Sequence, residues 1–74
     1  MNQKEGIILA VVNNLKETRI AKGSNQKDLS IATGFSTRTV SRVERGLQDP
    51  SAEFMLRVSK YLKVLVEDIF DVEE

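Results

Sequence analysis

The sequence predicts a compact all-α domain of five helices, and three observations carry that expectation. Apolar residues recur at helical spacing along successive stretches of the chain. Gly23, Gly34 and Gly46 stand where helices are due to end, and Asn25, Ser36 and Ser51 stand where helices are due to begin. No stretch requires a strand, and there is neither an internal repeat nor a low-complexity segment.

The first helix is expected over residues 5–22, closing on Gly23 as a C-terminal cap. Ile7, Ile8, Val11, Val12 and Leu15 fall on one face of it, as a core-facing helix requires. A competing reading makes residues 7–12 a strand, because β-branched residues dominate there. Asn14 and Glu17 would then form a capping box that starts the helix later. The helix is the preferred reading of the two.

Asn25 caps the second helix, and Asp28 suits its positively polarised first turn. Leu29 and Ala32 face inward, and Gly34 ends the helix where a left-handed backbone is easiest. Ser36 caps the third helix, which stops at Gly46. A loop over residues 47–50 leads to the fourth helix, capped by Ser51, with Met55, Val58, Ser59 and Leu62 as its inner stripe. A short fifth helix over residues 66–70 carries Glu67 and Asp68 in its first turn.

The 74 residues amount to one domain, with residues 25–46 at its centre and an acidic tail over 71–74. A chain of this size buries roughly 60% of its unfolded surface, an adequate but small core. There are no cysteines and no histidines, which removes disulfides, thiolate metal sites and the usual base for an activated nucleophile. The apolar run at 7–12 is only six residues long, far short of the roughly 20 of a membrane span. It follows Lys4 as a signal peptide's apolar region would, but Asn13 and Asn14 occupy the place of a small-residue cleavage site. A soluble, cytoplasmic protein without metal or cofactor is expected.

The third helix has two unlike faces. Val40, Val43 and Glu44 cluster on one side, while Arg38, Arg42 and Arg45 line the other at i, i+4 and i+7, with Ser41 at their edge. Like charges so spaced repel by a few tenths of a kcal/mol per pair unless an anion absorbs them. A short helix held by its apolar face and offering arginines outward suits a DNA major groove. Against this, the net charge is zero and the pI about 6.3. The distribution softens the objection: residues 1–50 carry +3 and residues 51–74 carry −3. A surface basic on one side can therefore coexist with an acidic far end.

Residues 25–46, NQKDLSIATGFSTRTVSRVERG, resemble the Cro/C1-type helix-turn-helix family of bacterial and phage repressors. The matching positions are Gln26, Leu29, Ala32, Gly34, Val40, Val43, Glu44 and Gly46. Leu15, Arg19 and Gly23 before them, and Pro50, Ser51, Leu62, Ile69 and Phe70 after them, extend the resemblance over residues 11–70. It implies a lambda-repressor-like DNA-binding domain. Two positions depart from the pattern: Lys63 stands where a helix-ending glycine is usual, and Leu65 where a capping Ser or Thr is usual.

Candidate site residues follow. Arg38 and Arg42 are placed to contact bases, since arginine pairs bidentately with guanine, and Thr37 and Ser41 could reach base edges beside them. Gln26 matches the family's phosphate contact beside the recognition helix, with Asn25, Lys27, Thr39 and Arg45 as further phosphate candidates. For Asn25 a plain helix cap is the simpler role. Arg19 and Glu44 match the family's internal ion pair between first and third helices. Phe54, Tyr61, Leu65 and Val66 form an apolar stripe, either the edge of the core or a homodimer interface of the kind related repressors use.

The expected function is sequence-specific binding of double-stranded DNA, as a repressor that pairs with itself on a near-palindromic operator. The alternative is a protein-interaction module on the same scaffold, such as an antitoxin or accessory factor. An enzyme is the weakest reading, because no nucleophile here has an activating base.

Overall fold

The computed structural model describes residues 11–73. In chain order the elements are β1 Val11–Asn13, α1 Leu15–Ala21, α2 Gln26–Thr33, α3 Thr37–Glu44, α4 Ala52–Leu62, α5 Val66–Ile69 and β2 Phe70–Val72. The described residues hold five helices, the number expected. The all-α expectation is nevertheless corrected by an antiparallel two-stranded ribbon, in which Val11 pairs with Val72, Val12 with Asp71 and Asn13 with Phe70.

The ribbon also corrects the expected first helix, which begins at Leu15 rather than Glu5. The competing strand reading is right for Val11 and Val12; the rest of residues 5–10, Ile7 and Ile8 included, lies outside the described residues. Two adjacent valines favour extended backbone, but a strand forms only where a partner supplies hydrogen bonds. That partner comes from the far end of the chain, where Asp71 and Val72 pair with β1 instead of trailing as an acidic tail. The capping box proposed for Asn14 and Glu17 is absent. Asn13 does the work instead: its Oδ1 accepts from the Leu15 N–H at 2.9 Å, while Asn14 Oδ1 accepts from the Thr18 hydroxyl at 3.0 Å.

The remaining helix starts are satisfied by their own side chains. Asn25 accepts from Asp28 N–H at 2.8 Å and the Asp28 carboxylate accepts from Asn25 N–H at 3.0 Å, a complete capping box. Ser36 and Ser51 each accept from the N–H three residues on, at 3.1 Å. Leu65 has no side-chain acceptor to offer α5, and the helix is closed from its other side, by the Asp68 carboxylate accepting from Leu65 N–H at 3.0 Å.

Three helices end in one way. After α1, α3 and α4 a residue with left-handed backbone lets two N–H groups turn back onto the last carbonyls. Gly46 N–H donates to Val43 O at 3.1 Å and Leu47 N–H to Arg42 O at 2.9 Å, and the α4 end repeats the pattern with Lys63. Lys63, at φ 62°, therefore holds a conformation that disfavours a side chain by on the order of 1 kcal/mol.

Leu15, Leu29, Val40, Val43, Phe54, Val58, Leu62, Ile69 and Phe70 form one buried core, with Phe35, Met55, Val64 and Val66 packed against it. Each helix and β2 contributes to it. Phe54 is 1% exposed and meets Phe35 edge-to-face, with ring centroids 5.3 Å apart. Its place in a dimer surface is thereby corrected: the ring is buried in the core against Phe35 and offers almost no surface to a second copy. Tyr61 and Leu65, at 42% and 62% exposed, remain on the surface, and Val66 is half-buried.

Candidate nucleic-acid interface

The centre of the molecule is α2, the left-handed turn at Gly34 (φ 80°) and α3. A φ of this sign is easy for glycine and strained for other residues, and it lets α3 leave α2 at a sharp angle. Leu29 and Thr33 anchor α2, and Val40 and Val43 anchor α3, all buried. The Thr33 hydroxyl donates to Leu29 O at 2.7 Å and accepts from Phe35 N–H at 3.2 Å, pinning the turn from inside.

The inward edge of α3 carries a charge. The Glu44 side chain is 2% exposed and the Arg19 side chain 10%. Arg19 Nε donates to Glu44 Oε2, and its Nη2 donates to Glu44 Oε1 at 3.1 Å. Gln26 Nε2 donates to the same Oε1 at 3.1 Å, and Arg19 Nη1 reaches Ser24 O at 3.3 Å. The carboxylate thus receives three N–H groups, from α1 and the first turn of α2. Three helices are tied at one point. A buried bidentate pair of this kind tolerates its desolvation only while both partners are present.

The outward face carries the arginines. Thr37, Arg38 and Arg45 are exposed, and Ser41, Arg42 and Thr39 are partly so. Arg42 is braced by the loop after α3: its Nε donates to Gln48 Oε1 at 3.1 Å and its Nη2 to Leu47 O at 3.2 Å. A guanidinium has five N–H donors, so among the described residues Nη1 and the second N–H of Nη2 stay available in a fixed direction. Arg38 has no such brace among the described residues. Arg45 ends α3, where a cation complements the helix dipole.

The phosphate candidates fare unevenly. Lys27 is exposed beside the start of α2. Asn25 spends its carbonyl on the cap. Gln26 is turned inward to Glu44, so of its side-chain donors one N–H is committed to the ion pair and the other is not. The Thr39 hydroxyl bonds to Ser36 Oγ at 3.1 Å. Contacts that sequence reasoning missed are Asn13 to Val43, Gln48 to Arg42 and the Ser24–Tyr61 hydroxyl pair at 3.2 Å. Each joins residues brought together only by folding, and no local pattern announces them.

A helix-turn-helix sequence profile matches residues 15–69, from the first residue of α1 to the last of α5. The chain belongs to the Cro/C1-type helix-turn-helix family. This is a family of DNA-binding transcription regulators. An uncharacterized HTH-type transcriptional regulator of Methanocaldococcus jannaschii is 36% identical over 62 residues, covering 84% of this chain and 94% of that protein. Among solved structures, the restriction-modification controller protein C.AhdI of Aeromonas hydrophila superposes with a TM-score of 0.69 at 31% identity, covering 73% of this chain and 82% of its own. A Bacteroides fragilis crystal structure reaches 0.76 at 23% identity over 82% of this chain and 98% of that one, a likeness of fold. In this helix-turn-helix protein the profile begins after β1 and stops before β2. No helix among the described residues is long and apolar enough to cross a membrane.

Proposed function

We propose that this helix-turn-helix protein is a sequence-specific regulator of transcription that reads duplex DNA with α3, most simply a repressor occluding a promoter. The observation that carries the reading is the division of α3 into a buried face of Val40 and Val43 and an outward face of Arg38, Arg42 and Arg45. Arg38 and Arg42, with Thr37 and Ser41, are the base-reading residues. Lys27, Arg45 and the start of α2 hold the phosphates, where helix N–H groups favour an anion.

A duplex selected by the protein from a random pool supplies the test. Replacing Arg42 by Ala is expected to weaken binding to the selected duplex by about 1–3 kcal/mol and to relax preference at one base position. Arg38→Ala is expected to do the same at a neighbouring position. Equal loss on selected and random duplex would make these phosphate contacts and sink the base-reading assignment.

One recognition helix reads too few base pairs to stand out against roughly a million or more competing sites, so the reading includes a two-fold dimer on a near-palindrome. Half-sites would then lie about 34–36 Å apart. Tyr61, Leu65 and Val66 supply the surface, with Leu65 the most exposed of them. Sedimentation at micromolar concentration should show a wild-type dimer and a Leu65→Glu monomer. A wild type that stays monomeric both free and on DNA removes the dimer from the proposal.

A further inference from the structure

Asn13 makes three connections from one residue. Its backbone pairs with Phe70 in the ribbon. Its Oδ1 accepts from Leu15 N–H at 2.9 Å, starting α1, and its Nδ2 donates to Val43 O at 2.9 Å, in the last turn of α3. The neighbouring Asn14 N–H donates to Ile69 O at 3.0 Å, bringing the end of α5 to the same joint. Val43 O already receives Gly46 N–H, so this carbonyl is shared between the helix's own termination and the ribbon.

We propose that Asn13 is a positioning residue for DNA reading, the tether through which the ribbon sets the angle of the recognition helix. The inference rests on the assignment of α3 as that helix.

The last turn of α3 is gripped from two sides. Arg19 and Gln26 hold Glu44, and Asn13 holds the adjacent Val43. The first turn is held by its own Ser36 cap and the turn before it. The C-terminal end is thus the one tied by side chains to α1, α2 and the ribbon, and a shift there tilts the helix and moves Thr37 and Arg38 at its other end. Eight residues of helix span about 12 Å, so a pivot of about 5° displaces the first turn by about 1 Å. Hydrogen-bond readout of base edges tolerates about half that. The position also demands an amide. Asn offers an acceptor and a donor on one short planar group, whereas Ser keeps an acceptor for Leu15 but cannot span to Val43, and Ala offers neither.

Asn13→Ser and Asn13→Ala in the full chain test the tether without changing charge. The measurements are thermal melting, α3 amide shifts in a nitrogen–proton spectrum of the free protein, and affinity for the wild-type-selected duplex and for an unrelated one. The Ser variant should melt within a few degrees of wild type and the Ala variant lower, since only Ala loses the α1 start. Both should lose about tenfold on the selected duplex, the worth of one hydrogen bond, with affinity for the unrelated duplex unchanged. Both should shift the amides of the last α3 turn and of Gly46. Wild-type affinity in both variants, a parallel fall on both duplexes, or the unfolding of both would overturn the proposal. If the wild type itself selects no duplex, the DNA reading fails, and unshifted α3 amides would still refute the tether on their own.

Discussion

Glu44→Ala is expected to destabilise the fold by about 3–5 kcal/mol, and Arg19→Ala by a similar amount. Either change leaves one member of the pair in a site from which water is excluded, since the Glu44 side chain is 2% exposed and that of Arg19 10%. Removing the carboxylate strands the Arg19 guanidinium and the Gln26 amide together. In a domain of this size each kcal/mol moves the melting temperature by about 4–8 °C, so a fall of more than about 12 °C is the expected result. Replacing both partners with leucine should recover much of the loss, because a buried pair exchanged for apolar side chains no longer leaves a charge unpaired. A melt of either single variant within a degree or two of wild type would refute the network's structural role.

Phe54→Ala is expected to match that effect by a different route. The ring is 1% exposed and packs edge-to-face on Phe35. Truncation removes its transfer energy and leaves a cavity that the surrounding helices fill incompletely, at a cost of about 3–5 kcal/mol. Urea unfolding measures the loss. The same experiment separates core from interface, since a residue at an exposed dimer surface would change monomer stability by less than about 0.5 kcal/mol. A small Phe54→Ala effect would return this residue to the surface stripe that the sequence suggested.

That stripe shows where sequence patterning stops. Phe54 and Tyr61 stand on neighbouring angles of α4, seven residues apart, and helical periodicity alone treats them alike. What distinguishes them is the element that lies opposite each. Phe35 and the core cover Phe54, whereas Tyr61, 42% exposed, meets Ser24 at its hydroxyl. Gln26 teaches the same lesson for polar groups. Its position at the start of α2 points to an anion, but the buried carboxylate of Glu44 claims one of its donors first.

Other parts were legible because their physics is local. The caps at Asn25, Ser36 and Ser51, the left-handed turn at Gly34 and the inner stripe of α4 depend on residues within one or two turns of each other. So does the outward row of arginines on α3, which follows from spacing alone. These sequence features determined five helices and a helix-turn-helix centre. Tertiary structure alone decided the ribbon, because Val11 and Val12 become a strand only when residues 70–72 arrive to pair with them. It also decided that Asn13 reaches α3, that Gln48 braces Arg42 and that Phe54 is core. The Asn13 and Phe54 contacts join segments far apart in the chain, and the Gln48 brace forms only because the loop after α3 turns back onto it, so in each the stabilising partner is supplied by the folded whole and leaves no mark on the local pattern.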